Sequence, residues 1–91
     1  MVGAVVITHG KLAEALVEAA EAITGKAEGI RAVSVASADS TEGIRAAVLA
    51  AVNEADSGGG VVVLTDMFGG TPTNIALSLM TDGRVEVITG V

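Results

Sequence analysis

Val2-Gly3-Ala4-Val5-Val6-Ile7-Thr8-His9-Gly10 is the stretch on which the fold turns. From Val2 to Thr8 the side chains are small or β-branched and almost wholly apolar. That is the pattern of a strand buried on both faces, not of one with a wet side. A strand of this kind belongs inside a parallel sheet, with helices above and below it. Working outward, the spacing predicts a helix from about Lys11 to Thr24. Its apolar stripe is Leu12, Leu16, Ala19 and Ile23, with Glu14, Glu18 and Glu21 on the solvent side. Gly25 stands where a helix C-cap is expected.

The remaining segments repeat the alternation. Ile30 to Ala36 is a second short strand, and Asp39 with Glu42 reads as a capping-box-like start to a helix running to about Ala55. That helix is expected to bury Ile44, Val48, Leu49 and Val52. After the flexible connection Asp56-Ser57-Gly58-Gly59-Gly60 comes the most apolar strand, Val61 to Thr65, which is expected to lie centrally. Asp66 to Thr71 is a glycine-containing loop, and Thr71-Pro72 reads as the cap and first residue of a helix to about Met80. Asp82-Gly83 makes a turn before a fourth strand, Arg84 to Thr89. The order βαβαβαβ, with short connections, describes one small α/β domain over residues 1–91: a four-stranded, mostly parallel sheet with helices on both faces.

Composition narrows the chemistry. The chain has 91 residues, with Phe68 as its one aromatic residue, so the core is expected to be aliphatic. It has no cysteine, which removes disulfides, thiolate metal sites and cysteine nucleophiles and fits a reducing, cytoplasmic setting. The net charge is −6 and the five basic residues form no cluster, which argues against nucleic acid and anionic membrane as partners. No apolar run approaches the ~20 residues that span a bilayer, so direct membrane insertion is not expected.

In an open parallel sheet, ligands bind beyond the C-terminal ends of the strands, near a switch in strand order. Two polar signals fall at such ends: Thr8-His9-Gly10 and Asp66-Met67-Phe68-Gly69-Gly70-Thr71. If the first and third strands are neighbours, His9 and Asp66 face each other across one crevice. A carboxylate bonded to one imidazole nitrogen leaves the other free as a nucleophile and supports positive charge on the ring. Phosphoryl transfer needs little beyond such a nucleophile and donors for the phosphoryl oxygens. Backbone N–H groups of Gly69-Gly70 at a helix N-terminus are donors of that type, and the hydroxyls of Thr71 and Thr8 add two more. Each signal alone is ordinary: a histidine after a strand is as a rule structural, and a Gly-Gly pair serves any turn. Their coincidence at two strand ends is what points to a site. One histidine and one aspartate do not make a metal-ligand set, and no cofactor is called for.

The run Asp66-Met67-Phe68-Gly69-Gly70-Thr71-Pro72-Thr73-Asn74, with Thr8-His9-Gly10, resembles the enzyme IIA component of the mannose-type sugar phosphotransferase system (PTS). The resemblance runs from Met1 to Val91, and the second motif is the specific one. It implies that His9 accepts a phosphoryl group on Nε2 from the phosphocarrier HPr and passes it to a histidine of enzyme IIB. It implies that Asp66 hydrogen-bonds the other ring nitrogen, and that Gly69, Gly70 and Thr71 surround the phosphate. In that family the chain continues some tens of residues past Ile88-Thr89-Gly90-Val91, through an antiparallel edge strand exchanged between the subunits of a homodimer. This sequence is C-terminally short by comparison, which removes the exchange as a ground for expecting a homodimer. Phe68 stands where some relatives carry tryptophan.

Three other readings stand beside this one. A regulatory PTS phospho-switch would use His9 in the same way but control a partner instead of feeding transport. A receiver phosphorylated on Asp66 would need a carboxylate pair after the first strand to hold Mg²⁺, and that strand ends in Thr8-His9. A hydrolase would need a nucleophile elbow such as G-x-S-x-G, and the sequence has none.

Overall fold

The structure, a computed structural model, describes residues 2–25, 29–36, 39–56, 58–66 and 85–89. Its elements are β1 (Gly3–His9), α1 (Leu12–Thr24), β2 (Ile30–Val35), α2 (Thr41–Ala55), β3 (Val61–Thr65) and β4 (Val85–Ile88). The expected third helix and the Asp82-Gly83 turn lie outside the described residues. All three strand pairings are parallel, and the order across the sheet is β2-β1-β3-β4. β1 is therefore internal, as its apolar run predicts: Val5 and Ile7 have no exposed surface and Val6 is buried.

Strand alternation sorts the two faces. Val5, Ile7, Val33, Val35, Val61, Val63 and Val85 point to one side, where they meet Ile44, Val48, Ala51, Val52 and Ala55 of α2 in a single aliphatic core. The opposite side of β1 and β2 carries α1, which Thr8 and Ser34 engage by hydrogen bonds to Ala13 and Glu14. Helices on opposite faces follow from the strand order, since the crossover from β1 to β2 and the one from β2 back past β1 to β3 run in opposite directions across the sheet and each turns right-handed.

Where α2 crosses the start of β1 the fit is close. A Cβ on Gly3 would fall on the carbonyl of Ala55 and lie 3.1 Å from its Cβ. Because the obstacle is helix backbone, it cannot swing aside as a side chain would. Gly3→Ala is expected to cost about 1–3 kcal/mol by overpacking. Urea unfolding checks this, and an unchanged midpoint would show that the helix gives way freely.

Three details correct the sequence reading. α2 is capped by Ser40, whose Oγ accepts the Gly43 N–H at 3.0 Å, not by Asp39. The Asp39 carboxylate instead accepts the Ala36 N–H at 2.8 Å, closing the preceding turn. Leu49 is 40% exposed, and Ala51 and Ala55 occupy the core in its place. The largest shift concerns α1. Of the stripe Leu12, Leu16, Ala19 and Ile23, Leu12 and Ala19 are exposed and Ile23 is 86% exposed. The helix meets the sheet through Ala13, with Leu16 and Val17 half-buried, a stripe rolled by one position. A helix this rich in alanine carries two adjacent apolar stripes, and the short Ala13 side chain lets the backbone come nearest the sheet.

Candidate functional site

His9 is the last residue of β1, paired in register with Val35 of β2, so the strand itself delivers it to the sheet's C-terminal edge. Asp66 follows β3 directly, and β1 and β3 are neighbours in register through Ile7 and Thr65. The topology therefore brings the two residues together, as the sequence required only on condition of that strand order.

One carboxylate oxygen makes both contacts. Oδ2 of Asp66 accepts the backbone N–H of His9 at 3.1 Å and lies 3.3 Å from its ring Nδ1. With the neutral ring protonated at Nδ1 this second contact is a hydrogen bond, and Nε2 is left with its lone pair free. The His9 side chain is 45% exposed while that of Asp66 is 16% exposed. The imidazole thus faces solvent and the carboxylate lies behind it. Oδ1 of Asp66 is buried and has no hydrogen-bond partner among the described residues.

The next residue is pinned as well. The Gly10 N–H donates to the Val35 carbonyl at 3.0 Å, so His9 is held toward β3 and Gly10 toward β2. Gly10 has φ +62°, the left-handed region that lets the chain turn from strand into α1 within two residues. Its contribution was not singled out in the sequence; the signal was a glycine directly after a strand and directly before a helix.

Thr8 sits differently from His9. Neighbouring strand residues point to opposite faces, and Thr8 points inward, with no exposed surface and its Oγ1 accepting the Ala13 N–H at 2.6 Å. This bonding places it beneath α1, a support behind the turn, and not as an exposed phosphate donor. Gly69, Gly70 and Thr71, expected around the phosphate, lie outside the described residues. Among the described residues no helix is long and apolar enough to cross a membrane, and no three His, Asp or Glu side chains are grouped to hold a metal ion.

Burial alone would raise the carboxyl of Asp66, but the His9 backbone N–H, ring hydrogen bond and charge outweigh it and hold Asp66 below its ordinary value. A folded value below the unfolded one gives stability that is present above the unfolded pKa and lost as pH falls through the folded one. The melting temperature of the wild type should therefore exceed that of Asp66→Ala at neutral pH. The gap should close on acidification below the usual carboxylate range. A gap that persists unchanged well below that range would mean the Asp66 charge contributes nothing to folding.

A family model, EIIA-man, described as the PTS system fructose IIA component, matches residues 3–91. The PTS system mannose-specific EIIAB component of Escherichia coli K12 is 33% identical over 88 residues, which are 96% of this chain. The matched region spans 27% of that relative's length. A PTS IIA protein associated with the fucose utilization operon of Streptococcus pneumoniae superposes with a TM-score of 0.89 at 30% identity, covering 98% of this chain and 68% of that one. The mannose/sorbose-specific IIA subunit from Enterococcus faecalis gives a TM-score of 0.83 at 30% identity, covering 98% and 67%.

Proposed function

This chain belongs to the EIIA-man family of PTS IIA components, and from that premise we propose that it carries a phosphoryl group on His9. The observation that carries the reading is the double contact of Asp66 Oδ2 with the His9 backbone N–H and ring Nδ1. It leaves Nε2 as the available nucleophile, already oriented, on an exposed side chain.

The donor in this reading is the phosphohistidine of HPr. The Nε2 lone pair forms a new N–P bond while the bond from phosphorus to the donor imidazole breaks, and that electron pair leaves with the donor ring. Positive charge then rests on the His9 ring, where the carboxylate behind Nδ1 stabilises it. The same geometry serves the reverse sense, in which a histidine of enzyme IIB attacks the phosphorus and His9 leaves as neutral imidazole. Asp66 orients the ring and supports its charge throughout, and Gly69, Gly70 and Thr71 are assigned to the phosphoryl oxygens. The setting is cytoplasmic, with the phosphoryl group destined for sugar uptake through membrane partners.

The test is reconstitution. The chain is mixed with phosphoenolpyruvate, enzyme I and HPr, and its intact mass is followed. One added, acid-labile phosphoryl group per chain is expected, lost again when enzyme IIB is added. No gain in mass while HPr itself is phosphorylated would contradict the reading.

A further inference from the structure

Thr8 and Thr65 are the polar residues with no exposed surface among those described. Thr8 stands directly before the proposed phosphoryl acceptor. Its Oγ1 accepts the backbone N–H of Ala13, five residues along, at 2.6 Å. Ala13 is itself without exposed surface, so this junction is dry. A helix start leaves backbone N–H groups without intrahelical partners, and a side chain at the cap position commonly takes one. Here the cap residue, Lys11, makes no side-chain bond to the helix. The acceptor comes instead from the preceding strand, across the turn that holds His9.

That arrangement closes a loop around the histidine. Thr8 belongs to β1, and Ala13 to the first turn of α1. His9, Gly10 and Lys11 lie between them, with Leu12 opening the helix. The backbone of His9 is held by Asp66 and that of Gly10 by Val35. The Thr8–Ala13 bond is a third tie, and it sets where the helix begins relative to the strand end. Gly10, at φ +62° with open space around a would-be Cβ, offers no steric restraint of its own. The strand-to-helix hydroxyl is therefore the tie that joins the turn to α1, beside the two that join it to β2 and β3.

We propose that Thr8 is a positioning residue for phosphoryl transfer: its buried hydroxyl anchors the first turn of α1 to the end of β1 and so holds the His9 ring in its attacking orientation. The inference rests on His9 being the phosphoryl acceptor. Misplacement of a reacting group by about 1 Å can cost on the order of a hundredfold in rate, so a loosened turn is expected to show in the chemical step.

The experiment compares Thr8→Val, which keeps the branched shape and removes the acceptor, with Thr8→Ser, which keeps the oxygen and removes the methyl. Rates of transfer from phospho-HPr are measured well below the melting temperature of each variant, with kcat separated from KM. In parallel, ¹⁵N spectra of the His9 ring report the population protonated at Nδ1. Thr8→Val should lower kcat by roughly tenfold to a hundredfold and reduce the Nδ1-protonated population, with KM little changed. Thr8→Ser should restore both to near wild-type values despite its lost methyl. A folded Thr8→Val with wild-type kcat and wild-type ring spectra would overturn the proposal. So would a folded Thr8→Ser that transfers more than tenfold slower than wild type, and that arm stands even if Thr8→Val does not fold. If the wild type accepts no phosphoryl group at all, the carrier reading is what fails. The ring spectra of the two variants then still decide whether Thr8 orients His9.

Discussion

His9→Ala is expected to take the phosphoryl load from one group per chain to none while the fold persists. His9 is the only histidine, and the sequence has no cysteine whose thiolate could take the phosphoryl group instead. The fold should tolerate the change because the His9 side chain is 45% exposed and contributes nothing to the aliphatic core. The backbone N–H that donates to Asp66 is retained in alanine. Ring–carboxylate pairs this open to solvent are worth about 0–1 kcal/mol, so the thermal transition should move little. Intact mass after reconstitution, with circular dichroism melts alongside, checks both halves. A His9→Ala chain that still gains an acid-labile phosphoryl group would place the acceptor elsewhere.

The second large effect belongs to Asp66, and it differs between two substitutions. In Asp66→Ala both contacts vanish, so the His9 backbone and ring lose their common acceptor. Transfer is then expected to slow by about a hundredfold, the scale of a mispositioned reacting group. In Asp66→Asn one carbonyl oxygen can stand where Oδ2 stands and accept both N–H groups. The Nδ1-protonated tautomer is kept, and only the charge that supports the phosphorylated ring is lost. A loss smaller than that of the alanine variant is therefore expected for the amide. Single-turnover rates from phospho-HPr give the comparison directly. Equal rates in all three proteins would remove Asp66 from the mechanism, and an amide as impaired as the alanine would mean that charge, not orientation, is the whole of its role.

Much of the scaffold is legible in the residues themselves. A strand as continuously apolar as Val2 to Thr8 has nowhere to go but the inside of a parallel sheet, and β1 lies between β2 and β3. The approach of His9 to Asp66 was legible only conditionally, because strand order is a property of crossovers and no local pattern encodes it. Helix rotation was less readable for a related reason. Alanine is compatible with either side of a helix, so in α1 the periodicity admits Leu12, Leu16, Ala19 and Ile23 as readily as Ala13, Leu16 and Val17. The sheet selects the second set, by closeness of approach. Ser40 displaced Asp39 as the cap of α2 because Asp39 is engaged one turn earlier, by the Ala36 N–H. The inward position of Thr8 could have been read from strand alternation, since it shares a face with Val6 while His9 takes the other. The single carboxylate oxygen serving both His9 groups had no signal in the sequence, because it depends on the register of β1 against β3.

The central claim is that Asp66 occupies Nδ1 and leaves Nε2 to take the phosphoryl group. The measurement that tests it most directly is ¹⁵N–³¹P NMR of the uniformly ¹⁵N-labelled chain, phosphorylated by phosphoenolpyruvate, enzyme I and HPr. The account predicts a phosphorus–nitrogen coupling to Nε2 of His9, with Nδ1 still carrying its proton. A phosphoryl group on Nδ1, or an acyl phosphate on Asp66, would contradict it.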